Sequence, residues 1–153
     1  MVLWFENKDL KINFNSVPSI GIRYILPSMS NEEKKLIKKY PFINRIPLEV
    51  RLEDKNKSKE YCFTIPKKYC FDGASVPRFF WRIIGSNTDN KFLVPAMIHD
   101  YICENHDCVD NDRAFSTEVF NALLSVSGVG SFKRFWMKNA VDIFQKCFCH
   151  WKK

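Results

Sequence analysis

The stretch IPLEVRLEDKNKSKEYCFTIP, Ile46 to Pro66, decides the class of fold. Leu48, Val50 and Leu52 alternate with Glu49, Arg51 and Glu53, the period of two with which a half-buried strand turns one face to a core. EYCFTIP carries the aromatic and β-branched residues of a second strand, and the polar run Asp54 to Lys59 between them reads as a hairpin loop. That run is expected to be a solvated loop rather than a binding tract.

Working towards the N-terminus, LKINF and IGIRYIL repeat the strand signature between turn-forming breaks, so residues 1–70 are expected to be β-rich. One helix interrupts them. Ser30 or Asn31 caps NEEKKLIKKY, with acids in its first turn and lysines in its last, as the helix dipole prefers, and Pro41 stops it. The 153 residues are 46% hydrophobic and 15% aromatic, enough to bury a core and to rule out a disordered chain.

Towards the C-terminus the period changes to that of helices. Pro77 opens a short helix over RFFWRIIG that Gly85 ends, and Pro95 fits the first turn of a helix running to about Asn105. Asp110 or Asn111 caps the next, on which Phe115, Val119, Ala122, Leu123 and Val126 recur at helical spacing, with Gly128 as its stop. Ser131 caps the last, whose apolar face is Phe132, Phe135, Trp136, Ala140, Ile143, Phe144 and Cys147. The expected class is α+β, in a single domain over residues 1–153: a β-rich part of antiparallel hairpins (1–70), then three to four helices that carry the candidate site (71–153).

The net charge of +7, with a pI near 9.1, favours polyanions as partners: nucleic acid, anionic lipid or an acidic protein. MVLWFENKDL shows no basic segment followed by an apolar run, so no secretory signal is expected. The six cysteines, Cys62, Cys70, Cys103, Cys108, Cys147 and Cys149, are then expected to be reduced thiols. No apolar run approaches bilayer length, which points to a soluble or peripheral protein.

His99 and Asp100 are the residues most able to carry chemistry. Within LVPAMIHDYI they and the Tyr101 phenol are the ionisable side chains, and burying them without partners is costly. They project about 100 degrees apart on a helix, so they serve different partners. Asp112, at the start of the next helix, is the natural carboxylate for His99. It would hold one imidazole nitrogen and leave the other to take a proton from water. Asp100 would bind a hard cation together with the loop Phe71-Asp72-Gly73-Ala74-Ser75. Equally, a His99–Asp112 pair would only clamp two helices, with Asp72 and Ser75 capping the helix after Pro77 and Arg78 joining the polar network.

Three rival arrangements stand beside this. Ser75, His99 and Asp112 follow the order of a hydrolase triad, but no nucleophile elbow surrounds Ser75, and a capping role suits it better. His99, Cys103, His106 and Cys108 place four zinc-type ligands within ten residues, at a spacing that matches no common zinc motif. Lys133, Arg134, Lys138, Lys146, Lys152 and Lys153, with Trp136 and Trp151, would suit nucleic acid, although the aromatic residues are expected to face the core.

Three runs, IPKKYCFDGASVPRFFW, VPAMIHDYIC and NDRAF, resemble the bacteriophage family catalogued as domain of unknown function 1353, over about Ile65 to Phe120. The resemblance implies a phage or prophage gene, a product in the host cytoplasm or carried in a virion, and a phage or host protein as partner. The order of a glycine-containing loop, HDYIC and DRAF is also similar to the core of phospholipase A-two enzymes. That similarity implies a calcium-dependent lipid ester hydrolase in which His99 activates water, Asp100 binds calcium and Asp112 orients His99. Two departures are plain: the calcium loop keeps one glycine, Gly73, and Cys103 stands where the family usually has Tyr.

Overall fold

The computed structural model describes residues 1–71 and 90–148. The expected helix after Pro77, with Gly85 as its stop, lies outside them. Seven strands and four helices account for the regular structure there: β1 (Val2–Glu6), β2 (Leu10–Phe14), β3 (Ile20–Ile22), α1 (Asn31–Lys39), β4 (Phe42–Asn44), β5 (Leu48–Asp54), β6 (Lys59–Ile65), β7 (Cys70–Phe71), α2 (Asn90–Glu104), α3 (Arg113–Val126) and α4 (Ser131–Phe148), with a 3-10 turn at His106–Val109 between α2 and α3. The class is α+β, an antiparallel, sheet-rich half followed by a helical half.

The main sheet has the order β1-β2-β5-β6, all antiparallel, with β5 paired on both sides. The alternation read from Leu48, Val50 and Leu52 is the burial pattern observed, and all three are fully buried. Their cross-strand neighbours Ile12 and Phe14 on β2 and Tyr61, Phe63 and Ile65 on β6 share that face. The helices cover it: Phe115 of α3 lies 5.4 Å from Tyr61 between ring centroids, and Tyr101 of α2 stacks on Phe63 at 5.5 Å. A smaller sheet, β3-β4-β7, is tied to the end of β6 by the buried side chain of Asn44, whose amide donates to the carbonyls of Ile65 and Pro66.

Local signals explain α1. Ser30 accepts from the Glu33 amide while the Glu33 carboxylate accepts from the Ser30 amide, a reciprocal capping box. Elsewhere four expectations are corrected. Pro95 does not open its helix, which begins at Asn90 and so contains Pro95; the preceding turn is retained because its buried Phe92 packs in the core. The cap of α3 is Asp112, because Asp110 and Asn111 are left-handed (φ 53° and 59°) and turn the chain into it. Helix α4 already includes Ser131. Phe132, Phe135 and Ile143 do not face the core: they are 66%, 61% and 57% exposed, while Met137, Ala140, Val141 and Gln145 form the buried side of α4. Gly128, at φ 87°, ends the chain's turn out of α3 as expected.

The hairpin loop between β5 and β6 is more than a solvated connection. Asp54 is buried and its carboxylate accepts from the Asn56 and Lys57 amides, which shapes the loop. Lys57 then reaches Asp112 and Lys59 reaches Asp110 at 3.2 Å, so the loop is joined to the start of α3. Among the described residues, no helix is long and apolar enough to cross a membrane.

Since Leu52 is fully buried between β2 and β6, Leu52→Ala is expected to lower stability by about 2–5 kcal/mol. Urea unfolding checks this; a loss under about 1 kcal/mol would contradict close packing beneath the helices.

Candidate functional site

His99 lies in the second half of α2, 4% exposed, where α2, α3 and α4 meet. The ring of Phe120 from α3 packs on its imidazole at 4.9 Å between centroids, and the Gln145 amide nitrogen from α4 sits 2.6 Å from His99 Nε2. The same amide group donates to Cys103 Sγ at 3.2 Å, and its oxygen lies 3.2 Å from the Thr117 hydroxyl. Thr117 is also 3.4 Å from Asp142 Oδ1, which the Arg113 guanidinium grips, and Lys146 approaches the other Asp142 oxygen at 3.2 Å. A chain of polar contacts thus leads from the buried imidazole to the outer edge of α4.

This environment sets the charge of His99. Burial lowers its pKa from 6.5 to about 4, so the ring is neutral at physiological pH. With Nε2 accepting from Gln145, the one ring hydrogen lies on Nδ1, which faces Cys103 Sγ at 3.8 Å and Asp100 Oδ1 at 3.9 Å, the latter too far for a hydrogen bond. A general base needs reach to water and a pKa near the working pH. His99 has neither.

The structure does not bring Asp112 to His99. One Asp112 oxygen accepts from the Phe115 amide at 3.0 Å, as an N-cap does, and the other meets Lys57. Partial burial pushes this carboxyl up, but the Lys57 hydrogen bond, the Phe115 amide and the Lys57 charge outweigh it and hold the pKa below the usual carboxylate value. Asp100, its side chain 12% exposed, stays beside His99. Tyr101 serves packing: it stacks on Phe63 and meets Tyr69 edge-on, fastening α2 to both sheets. Asp72, Gly73, Ser75 and Arg78, expected to supply the cation loop and its supports, lie outside the described residues, as do Cys149, His150, Trp151, Lys152 and Lys153.

The zinc-type quartet is split. His99 and Cys103 adjoin, with Nε2 to Sγ at 3.6 Å, whereas His106 turns its Nδ1 to Asn111, and burial pushes the Cys108 thiol up to about 11. Among the described residues, no three His, Cys, Asp or Glu side chains converge as a metal-ligand set.

Asp112 instead lines an open cleft of about 570 Å³ between the main sheet and the α3–α4 pair. Asp54, Lys57, Glu118, Asn121 and Arg134 contribute polar groups to its walls, and Phe5, Leu10 and Phe115 contribute apolar surface. Lys57 and Asp112 pair within its lining, Lys138 holds Glu118 at 2.6 Å, and Arg134 Nε is buried without a hydrogen-bond partner. The cleft and the sealed histidine are separate features. The reading of the residues missed Gln145, Thr117 and Lys57. For Gln145 a signal existed: it falls at i+4 and i+8 from Val141 and Met137, a lone amide on an apolar stripe that needs a buried partner.

The family model described as "Protein of unknown function (DUF1353)" matches residues 45–141. An "Uncharacterized protein y4jT" of Sinorhizobium fredii (strain NBRC 101917 / NGR234) is 40% identical over 48 residues, 31% of this chain and 14% of that protein, so the chain corresponds to a small part of that relative's length. No solved structure matches the chain.

The His99 pKa carries a sign. Between pH 6.5 and about 4 the unfolded chain takes up a proton that the folded chain refuses, so His99 withdraws stability as pH falls through this window. Unfolding free energies from urea titration are expected to fall between pH 7 and pH 4 by roughly 3 kcal/mol more in the wild type than in His99→Gln; parallel curves would show that the imidazole is not held neutral. Asp112→Ala removes a cap and a lysine partner together and is expected to cost about 1–2 kcal/mol, with Asp112→Asn costing less. Thermal melts of the two variants distinguish the cap from the charge, and equal losses would assign the effect to the Lys57 pair alone.

Proposed function

The chain belongs to the family Protein of unknown function (DUF1353), whose description carries no reaction, and from that footing we propose that it acts as a non-catalytic binding protein, with His99 as a structural clamp. What carries the reading is the 2.6 Å contact of Gln145 with His99 Nε2 inside a sealed three-helix junction. A phospholipase-type dyad requires the opposite arrangement, one imidazole nitrogen open to water and the other on Asp112. Here the carboxylate of Asp112 serves the α3 amide and Lys57. The accessible groups belong to the cleft beside Lys57 and to the outer helix surface, which offer recognition by charge and apolar contact. In this reading the gene is a phage or prophage gene and the partner a phage or host component, as the resemblance of its motifs implies, with the product in the host cytoplasm or carried in a virion.

The rival, a calcium-assisted lipid hydrolase with His99 as base and Asp100 in the cation site, predicts a different outcome from the same assay. Mixed anionic phospholipid vesicles are incubated with the protein, with calcium or with chelator, and fatty acid is measured by mass spectrometry. No release above the chelated control is expected, and His99→Asn is expected to lose roughly 1–3 kcal/mol of stability, because Gln145 is left without its buried partner. Calcium-dependent release that vanishes in a His99→Asn protein of unchanged melting temperature would establish the hydrolase and overturn the clamp.

A further inference from the structure

Helix α4 turns a line of apolar side chains outward. Phe132, Phe135 and Ile143 are 66%, 61% and 57% exposed, and Trp136 meets both phenylalanines edge-on, with centroids 6.4 and 5.8 Å away. Positions 132, 135, 136, 139 and 143 follow helical spacing along one side. The polar member of that line, Asn139, folds its amide back onto the Phe135 carbonyl at 2.7 Å, so it interrupts the apolar surface little.

The net positive charge of the chain is concentrated in the same stretch of sequence. From Ser131 to the C-terminus the sequence holds six Lys or Arg residues and one acid, Asp142, whereas the preceding 130 residues hold 18 basic and 16 acidic side chains. Lys133 is exposed beside Phe132, and Lys146, 56% exposed at its side chain, lies one turn beyond Asp142 near Ile143. An exposed apolar stripe flanked by lysines, on a helix whose other side is packed into a fold, is the pattern of a segment that lies in a membrane interface.

We propose that the outer face of α4, through the exposed Phe132, Phe135 and Ile143 with Lys133 and Lys146, docks onto an anionic lipid surface, while the half-buried Trp136 backs the two phenylalanines from the core side. The phenylalanine rings and Ile143 enter the boundary between headgroups and acyl chains, while the ammonium groups stay among the lipid phosphates. A single-stranded nucleic acid would also meet lysines and aromatic rings, but Ile143 offers no stacking face, and the stripe presents few hydrogen-bonding groups to bases. This docking needs no reaction at His99 and leaves the buried side of α4 unchanged.

Co-sedimentation with vesicles tests it, using equal parts phosphatidylglycerol and phosphatidylcholine against phosphatidylcholine alone. The full chain is expected to bind the anionic vesicles at least about tenfold more tightly, with weaker binding as salt screens the lysines. Phe132→Ser with Phe135→Ser is expected to weaken binding about tenfold or more while leaving the melting temperature unchanged, since both rings are largely exposed. Ile143→Ser, at the other end of the stripe, gives an independent reading should the double variant fold poorly. Absence of binding to anionic vesicles by the folded protein would overturn the proposal. So would binding indifferent to Phe132, Phe135 and Ile143, or a single-stranded oligonucleotide held through these residues while vesicles are not.

Discussion

A neutral imidazole sealed from water must meet hydrogen-bonding groups from the protein, and at His99 this requirement draws three helices to one point. Leaving a buried polar group unsatisfied costs about 1–3 kcal/mol, so α4 has to present an amide where α2 presents the ring. Gln145 does so at 2.6 Å. Its own oxygen lies 3.2 Å from Thr117 of α3, and Thr117 adjoins the Asp142 carboxylate that Arg113 grips. Satisfying one imidazole therefore specifies how α3 and α4 lie against α2. The same burial that makes the contact valuable makes charging the ring costly.

A second joint connects the sheet to the helices. Asp112 begins α3, and its capping geometry commits one carboxylate oxygen to the Phe115 amide. The other oxygen is then turned towards the β5–β6 hairpin, where Lys57 meets it. This division of one carboxylate between a helix end and a hairpin accounts for the separation of Asp112 from His99. Both residues begin as plausible halves of a dyad because they stand on consecutive helices. Each is drawn instead to a partner distant in the chain.

The strands and the first helix were legible because their signals are local. A period of two over Leu48, Val50 and Leu52 says which side is buried whatever it packs against, and Ser30 with Glu33 closes a helix start within four residues. The need of His99 for a partner was equally plain from its apolar surroundings. The identity of that partner was not, since Gln145 is 46 residues away and only the packing of α4 brings it near. Lys57 was read as part of a solvated loop for the same reason: its length and charge fit both water and a carboxylate across the fold. At Pro95 a favoured first-turn position gave way to burial of Phe92 in the turn before it.

Helix α4 marks the boundary between the two kinds of knowledge. Its sequence determined that it is a helix, that it is basic, and that it carries more apolar side chains than one contact can cover. Periodicity assigned Phe132, Phe135 and Ile143 to the core face, because an apolar arc carries no mark of which part meets a neighbour. The tertiary structure chose the side bearing Met137, Val141 and Gln145, where the buried amide answers His99 and the smaller side chains allow α3 to approach. So the sequence by itself determined the elements, the class of fold and the groups that must be satisfied, because these follow from local periodicity and the cost of burying polarity. Which groups satisfy one another, and which apolar face is left to solvent, was decided only when the elements packed, because those outcomes depend on distances between residues that the chain order does not contain.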